Sequence, residues 1–464
     1  YTKGELVRHY LAAPVIVTFV SAIIGNILGY TVFKELVVNM YYSNYSLPTY
    51  VTLWNPDAFI KTTIIPVVLM FVINLLILMR MLRHTPLQFL RCDLKKNKRK
   101  KAMRLPKWNF LSRFRLRIIF QNIPNYLILF VGIAFISIML AMAIGMPSTL
   151  QYYKDNTKDM MIADYQYVLK SYKDETGKEI TTKNSDAEKF SMDSLLYKTD
   201  AMDEEVSVYG VEDTSKYISL PDAKNLKEKE VYISKPFRDK YDVAVGDTVT
   251  LNAKYEKKKY SFKVKGFFEH SQSIAVFMPI EQYRTAFDKD DDAFDGFFTN
   301  TKIKDVKKDY IATVITEREI TKMSNQLDHT MGSYMLYFQF LCVVLSAVLI
   351  YLLTKIIIEK NEVAISMTKI LGYTDGEIAK LYLLATTIVV IVCAALSVLV
   401  GTLVMRNVWT VMLQSMSGWF TFIMGPLDYI KMFAFIFVGY LVVMLFDFRR
   451  IRKIPLDEAL KRVE

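Results

Sequence analysis

Residues that could do chemistry are few in this 464-residue sequence, and their spacing argues against most of it. The densest carboxylate cluster is Asp288-Lys-Asp-Asp-Asp-Ala-Phe-Asp. A calcium loop of this kind needs Gly at its sixth place and Glu at its twelfth. Ala293 and Thr299 stand there, so the segment reads as a solvated turn. His9, His84, His270 and His329 share no ligand spacing, which argues against a metal site. Thr176-Gly177-Lys178 lacks the upstream Gly and the following Ser/Thr of a phosphate-binding loop. No nucleophile elbow or metalloprotease signature occurs. The chain reads as no enzyme, with no cofactor bound by itself.

What does recur is a helix-opening pattern. Thr2-x-x-Glu5 and Thr374-x-x-Glu377 are both capping boxes, in which each residue's side chain satisfies a backbone N–H of the other. Each box opens a long apolar run. Six such runs lie at about Leu11–Phe33, Thr62–Leu82, Pro124–Met146, Met335–Ile358, Leu383–Val404 and Tyr429–Phe448. A membrane-spanning helix needs about 20 mostly apolar residues, and each run is long enough. A soluble core could imitate one of them, but hardly six with basic flanks. The first is too long for a signal peptide and is followed by no cleavage site.

Basic residues set the orientation. Arg83 to Ile118 carries thirteen Lys and Arg against one acid, Asp93, and short loops this basic stay cytoplasmic. The tail, with Arg449, Arg450, Arg452, Lys453, Lys461 and Arg462, fits the same side. The loops Lys34–Lys61 and Val404–Tyr429 are poor in charge and face outward. Residues 150–333 are then extracytoplasmic. From Gln151 to Thr330 there are 29 basic and 34 acidic residues, a net of −5, while the whole chain carries +12. The positive charge therefore belongs to the cytoplasmic face. Lys95–Lys101 beside a span points to anionic membrane lipid as its partner and away from nucleic acid. Of three cysteines, Cys92 is cytoplasmic and Cys342 and Cys393 lie in spans, so the outer segment folds without disulfides. Asn26 and Asn74, inside spans, read as interhelical hydrogen-bonding residues. Tyr41, Tyr42, Tyr45 and Trp54 read as an interfacial belt.

The chain also repeats itself. Tyr1-Thr-Lys-Gly-Glu-Leu-Val-Arg-His-Tyr parallels Tyr373-Thr-Asp-Gly-Glu-Ile-Ala-Lys-Leu-Tyr. Arg80-Met-Leu-Arg-His-Thr-Pro-Leu parallels Arg449-Arg-Ile-Arg-Lys-Ile-Pro-Leu, and the offsets, 372 and 369, differ by three residues. Pro86 and Pro455 suit the first turn of a short helix after a basic stretch. The second copy is complete, while the first starts just before its third span. Since the sequence starts at Tyr1, we expect an intact protein of two four-span units, eight spans in all.

In the outer segment, Glu205–Val211, Glu230–Ser234, Asp247–Ala253 and Lys259–Phe268 carry strand patterns. Pro236–Tyr241 and Pro279–Phe287 read as short helices, each with its proline in the first turn. Gln151–Lys173 is expected to prolong the preceding helix as a stalk, and Lys304–Gln326 to form the helix returning to the membrane.

The stretch Glu362-Val-Ala-Ile-Ser-Met-Thr-Lys-Ile-Leu-Gly-Tyr-Thr is the most distinctive in the chain. It resembles the FtsX-like permease family of MacB-type (type VII) ABC transporters, where this place reads roughly E-x-A-I-L-K-A-L-G-A-T. Glu362, Ala364, Ile365, Lys369, Leu371, Gly372 and Thr374 match, while Ser366 stands at a usually apolar position. The closing P-x-x-A-L-R motif is matched by Pro455, Ala459, Leu460 and Lys461. Arg117, Asn122 and Asn125 loosely match a helix leading into a span. Val245-Gly-Asp-Thr-Val and Phe262-Lys-Val-Lys-Gly resemble strands of the family's outer domain.

The resemblance implies an α-helical membrane protein with an extracytoplasmic α+β domain. It would consist of two four-span FtsX-like units, the first truncated at its N-terminus, with six spans in this chain. Residues 1–91 would close the first unit and 92–118 form a basic linker with an amphipathic helix. A span would follow at 119–149, the outer domain at 150–333 and the permease domain at 334–464. It also implies a bacterial cell membrane, and dimerisation with itself or a paralogous permease. An ABC ATPase partner would supply ATP and Mg chemistry, and Glu362–Gly372 would be the coupling helix that meets it. Taken alone, that segment is equally a cytoplasmic helix with a left-handed stop at Gly372. The implied work is export or extraction of an amphiphile, such as an antimicrobial peptide, drug or lipid. The alternative is ATP-driven motion that controls a partner sensor kinase or cell-wall hydrolase without transport.

Overall fold

The computed structural model describes residues 2–44, 48–82, 109–221 and 226–455. Tyr1–Arg113 and Phe114–Glu464 are separate compact units. Six helices among the described residues are long and apolar enough to cross a membrane.

The first unit is a helical hairpin. Helix α1 (Lys3–Leu28) runs through a π-helical turn at Gly29–Phe33 into α2 (Lys34–Asn44), and α3 (Pro56–Met81) returns. Asn26 joins the hairpin. Its Nδ2 donates to Thr63 Oγ1 at 2.9 Å, and its Oδ1 accepts from Thr62 Oγ1 at 2.7 Å. Asn74 instead donates to Met70 O of its own helix at 2.8 Å, so only one of the two expected interhelical links forms through these contacts. Tyr30 stacks on Trp54 with ring centroids 5.1 Å apart, consistent with aromatics gathered at one interface.

The second unit begins within α4 (Phe110–Gln121), and continues with α5 (Ile123–Asp155) and through the outer domain to α8 (Glu317–Lys360). Then come the short α9 (Glu362–Ile370), α10 (Asp375–Gln414) and α11 (Pro426–Lys453). α5, α8, α10 and α11 pack as a bundle around Leu129, Ile133, Leu140, Cys342, Ile350, Val390, Ile436 and Tyr440. Lipid tails are as apolar as these side chains, so close packing must hold the helices together. Gly401 shows how close α10 comes to α5: a Cβ there would lie 2.7 Å from Ser137 Cβ and 2.8 Å from its backbone carbonyl carbon.

The outer domain is built on nine strands: β1 (Tyr165–Leu169), β2 (Glu188–Lys198), β3 (Asp203–Val211), β4 (Glu230–Ser234), β5 (Thr248–Asn252), β6 (Lys259–Phe268), β7 (Ala275–Pro279), β8 (Gly296–Thr299) and β9 (Ile311–Thr316). Helices α6 (Lys235–Tyr241) and α7 (Ile280–Phe287) follow β4 and β7. The strand order is β3-β7-β4-β6-β5-β2-β8-β1-β9, and β2 also pairs along β3. Six strands thus close on themselves, and β8-β1-β9 extends from β2. Most pairs are antiparallel, but β3–β7 and β4–β6 are parallel, which makes the sheet mixed.

Three expectations are corrected. The stalk predicted over Gln151–Lys173 ends as helix at Asp155, and β1 follows within ten residues. The segment Lys304–Gln326 starts with β9, whose Ile-Ala-Thr-Val-Ile-Thr is rich in β-branched residues, before α8 begins at Glu317. Pro279 closes β7 and is the N-cap of α7, one place before the first turn. The ends of α5 and α8 are linked by the ion pair Lys154–Asp328 at 3.7 Å, and Lys158, just past α5, pairs with Glu317 at 3.5 Å.

Candidate coupling sites

The predicted segment Glu362–Gly372 forms α9, a helix of nine residues between the ends of α8 and α10. Its stop is a Schellman motif. Tyr373 N–H donates to Thr368 O at 3.3 Å, Gly372 N–H donates to Lys369 O at 3.0 Å, and Gly372 has φ +89°. Only Gly adopts that φ without strain, which explains the residue type there. Thr374 then caps α10 at once. Thr374 N–H donates to Glu377 Oε2 at 2.9 Å, and Glu377 N–H donates to Thr374 Oγ1 at 3.4 Å. The same box forms at α1, with Thr2 N–H to Glu5 Oε2 at 2.7 Å and Glu5 N–H to Thr2 Oγ1 at 3.3 Å.

Two faces of α9 differ. Ile365 is fully buried in a cluster with Ile118, Ile358, Ile378, Tyr382 and Ile451. Ala364, Met367 and Ile370 face outward, and Leu371 is 70% exposed. Glu362, at the first position of α9, is half-buried. Lys369 fixes the helix in place. Its Nζ donates to Ile451 O at 2.9 Å, Ile454 O at 2.9 Å and Arg452 O at 3.2 Å, and pairs with Asp375 at 3.1 Å. These carbonyls end α11, where orphan acceptors and the helix dipole both attract a cation. One ammonium thereby ties α9 to the end of α11 and the start of α10. Pro455 is exposed just past α11. Pro86, Ala459, Leu460, Lys461, Cys92 and Lys95–Lys101 lie outside the described residues. Asn122 is buried and bonds Ile118 O at 2.9 Å at the start of α5, while Arg117 lies on α4.

Sequence reasoning missed a second clamp at the opposite end of the bundle. Lys240 on α6 forms an ion pair with Glu204 on β3, and the side chains are 0% and 2% exposed. Lys240 Nζ also donates to Met416 O at 2.7 Å and Gly418 O at 3.2 Å. Glu204 Oε1 accepts from Gly418 N–H at 2.9 Å, and Tyr241 OH donates to Glu204 Oε2 at 3.0 Å. Burial and the neighbouring carboxylate push the Tyr241 phenol above its ordinary range, so it remains a donor. The residues gripped belong to the loop 415–425 joining α10 to α11. That loop is also held by α5, through Thr149 Oγ1 to Ile423 O at 2.9 Å and Thr421 N–H to Tyr153 OH at 2.9 Å.

The carboxylates Asp288, Asp290, Asp291 and Asp292 form no metal cluster, and none occurs among the described residues. Asp288 ends α7 in a left-handed conformation.

Two family models match the chain. A MacB-like periplasmic core domain matches residues 125–315, and an FtsX-like permease C-terminal domain matches residues 336–456. Among solved structures, the extracellular domain of the noncanonic ABC-type transporter YknZ from Gram-positive bacteria is similar at 12% identity. That match covers 36% of this chain and 95% of the other, with a TM-score of 0.21. No curated protein matches. The two family models follow one another from the first residues of α5 to the end of α11, so that the outer domain and the three helices after it are both accounted for in order. This multi-pass membrane chain, with its extracytoplasmic α+β domain, belongs to the FtsX-like permease family of MacB-type ABC transporters.

Proposed function

We propose that the chain is the permease subunit of an ATP-driven transporter that exports or extracts an amphiphile on the outer side of the membrane. An ABC ATPase partner hydrolyses ATP at the cytoplasmic face and pushes on α9. The observation that carries this reading is the arrangement of α9. Its buried face and Lys369 lock it to three long helices, while Leu371 and its neighbours leave an apolar edge bare beside a rigid turn. A push on that edge is delivered to α8, α10 and α11 together. At the far end, the Lys240–Glu204 clamp passes movement of the α10–α11 loop to the outer domain.

Co-purification of the full-length protein with the ATPase encoded beside its gene tests the reading. A complex that hydrolyses ATP is expected, and Leu371→Asp or Gly372→Pro should abolish it while the permease still folds. Stimulation by a candidate peptide or lipid would support transport. A permease that binds no ATPase under any condition would remove the transporter reading.

A further inference from the structure

The outer end of α10 carries a cavity of about 320 Å³ with an unusual lining. Trp409 and Arg406 contribute from α10, and Trp419, Thr421, Phe422 and Met424 from the loop 415–425. The walls are apolar and aromatic. Trp409 and Phe422 ring centroids are 5.4 Å apart, and Trp409 Nε1–H is already committed to Phe420 O at 3.0 Å. The Trp419 Nε1–H is enclosed as well. One cation remains. Arg406 is exposed and makes no ion pair among the described residues; its only side-chain hydrogen bond there is to Tyr429 OH at 3.5 Å. The nearby Lys431 is already paired with Asp428 at 3.6 Å.

The position matters as much as the lining. The apolar run of α10 ends at Val404, so Arg406 sits at the outer interface, in a stretch otherwise poor in charge. A guanidinium offers a planar fork suited to phosphate oxygens. Apolar walls beside it suit the acyl and glycerol portions of a membrane amphiphile.

We propose that this cavity binds an anionic phospholipid of the outer leaflet, whose phosphate accepts from Arg406 while its apolar portion lies along Trp409, Phe422 and Met424. Trp419 also packs against the apolar core of the outer domain that contains Phe237 and Tyr283. The bound lipid therefore touches the same loop that the Lys240–Glu204 clamp grips, and its occupancy bears on how firmly the outer domain is seated. This assignment holds whatever substrate the ATP-driven movement serves.

The test uses the full chain with Trp54→Phe and Trp108→Phe, so that emission comes from Trp409 and Trp419. It is reconstituted into phosphatidylcholine vesicles that contain either brominated phosphatidylglycerol or brominated phosphatidylcholine. Brominated phosphatidylglycerol is expected to quench more strongly. The excess should disappear in Arg406→Gln, and most of it should disappear in Trp409→Phe, because the acyl portion lies along Trp409. Equal quenching by both lipids, or an excess that survives Arg406→Gln, would show ordinary boundary lipid and overturn the proposal. Relief of the excess by inorganic phosphate would show a site for the free anion and overturn it as well. The readout needs no ATPase, so failure here leaves the coupling reading intact.

Discussion

Two lysines hold the permease domain, one at each end of the α10–α11 hairpin, and they do so under opposite conditions. Lys369 and Lys240 each donate to backbone carbonyls of a neighbouring segment and each pair with one carboxylate. At the inner end, the Lys369 side chain is 9% exposed and its partner Asp375 is 40% exposed. At the outer end both partners are removed from water. A desolvated ion pair is held only when its remaining hydrogen-bonding capacity is met, and at Glu204 the Tyr241 hydroxyl and Gly418 N–H meet it. A wet pair contributes little on its own, so at Lys369 the helix carbonyls carry most of the attraction. The outer clamp is therefore a fixed joint, and the inner clamp is the more accessible of the two.

The sharpest way to break this comparison is Lys240→Met. It strands Glu204 inside the domain, and removal of one partner of a buried pair costs roughly 3 kcal/mol or more. Thermal unfolding of the purified protein in detergent should report this as a large drop in midpoint, with new protease sensitivity in 415–425. A cost below about 1 kcal/mol, the range of exposed pairs, would mean that the outer pair is not desolvated in solution. The double variant Lys240→Met/Glu204→Leu sharpens the point. Apolar replacements of a buried pair are often neutral, so stability should largely return. If the clamp transmits movement, the double variant should still lose the ATP-dependent change in distance between spin labels on the outer domain and on α10. A double variant with wild-type stability and wild-type distance change would reduce the clamp to packing.

Lys369→Met should cost less, about 1–2 kcal/mol, because it frees neutral carbonyls and a half-exposed carboxylate and strands no buried charge. Its signature is different in kind. The domain should stay folded, while ATPase binding or stimulation falls, since α9 is no longer tied to α11. Asp375→Asn should change stability by less than about 1 kcal/mol, as expected of a half-exposed pair. A larger loss from Asp375→Asn than from Lys369→Met would reverse the account of which contacts hold the inner joint.

The inner joint was legible in the sequence and the outer one was not, for a physical reason. Glu362–Gly372 announces itself locally: helix formers, a Gly stop and a capping box all fall within sixteen residues. Lys240 sits in Lys-Pro-Phe-Arg-Asp-Lys-Tyr, which reads as a solvated surface helix, and its partner Gly418 is 178 residues away. No local pattern records such a contact. The strands divide in the same way. β4 and β6 carry β-formers bounded by turns and are found where expected. β7 is buried at all five positions, and a short apolar run without alternation does not distinguish strand from helix. β1 follows closely on α5, so a helical reading of the sequence runs on over it. The six spans, by contrast, were set by length and hydrophobicity alone, and every one is a helix.

The smallest effect is expected from the repeated caps, and it separates the inner joint from its counterpart in the first unit. Thr2→Ala and Thr374→Ala each remove a hydroxyl that accepts from the N3 amide, a loss of about 1 kcal/mol in the helix concerned. The local cost is the same because the two boxes have the same geometry. The spread should differ. At α1 neither a Schellman turn nor an ion pair adjoins the cap among the described residues, so faster hydrogen exchange should stay within the first turn, around Gly4 to Leu6. At α10 the cap lies between the Schellman turn and the Lys369–Asp375 pair, so fraying should reach back into α9 and raise exchange from Ile365 to Ile378. If exchange in Thr374→Ala is confined to the first turn of α10, the inner joint is a chain of independent caps. If it spreads through α9, cap, turn and clamp yield together as one element.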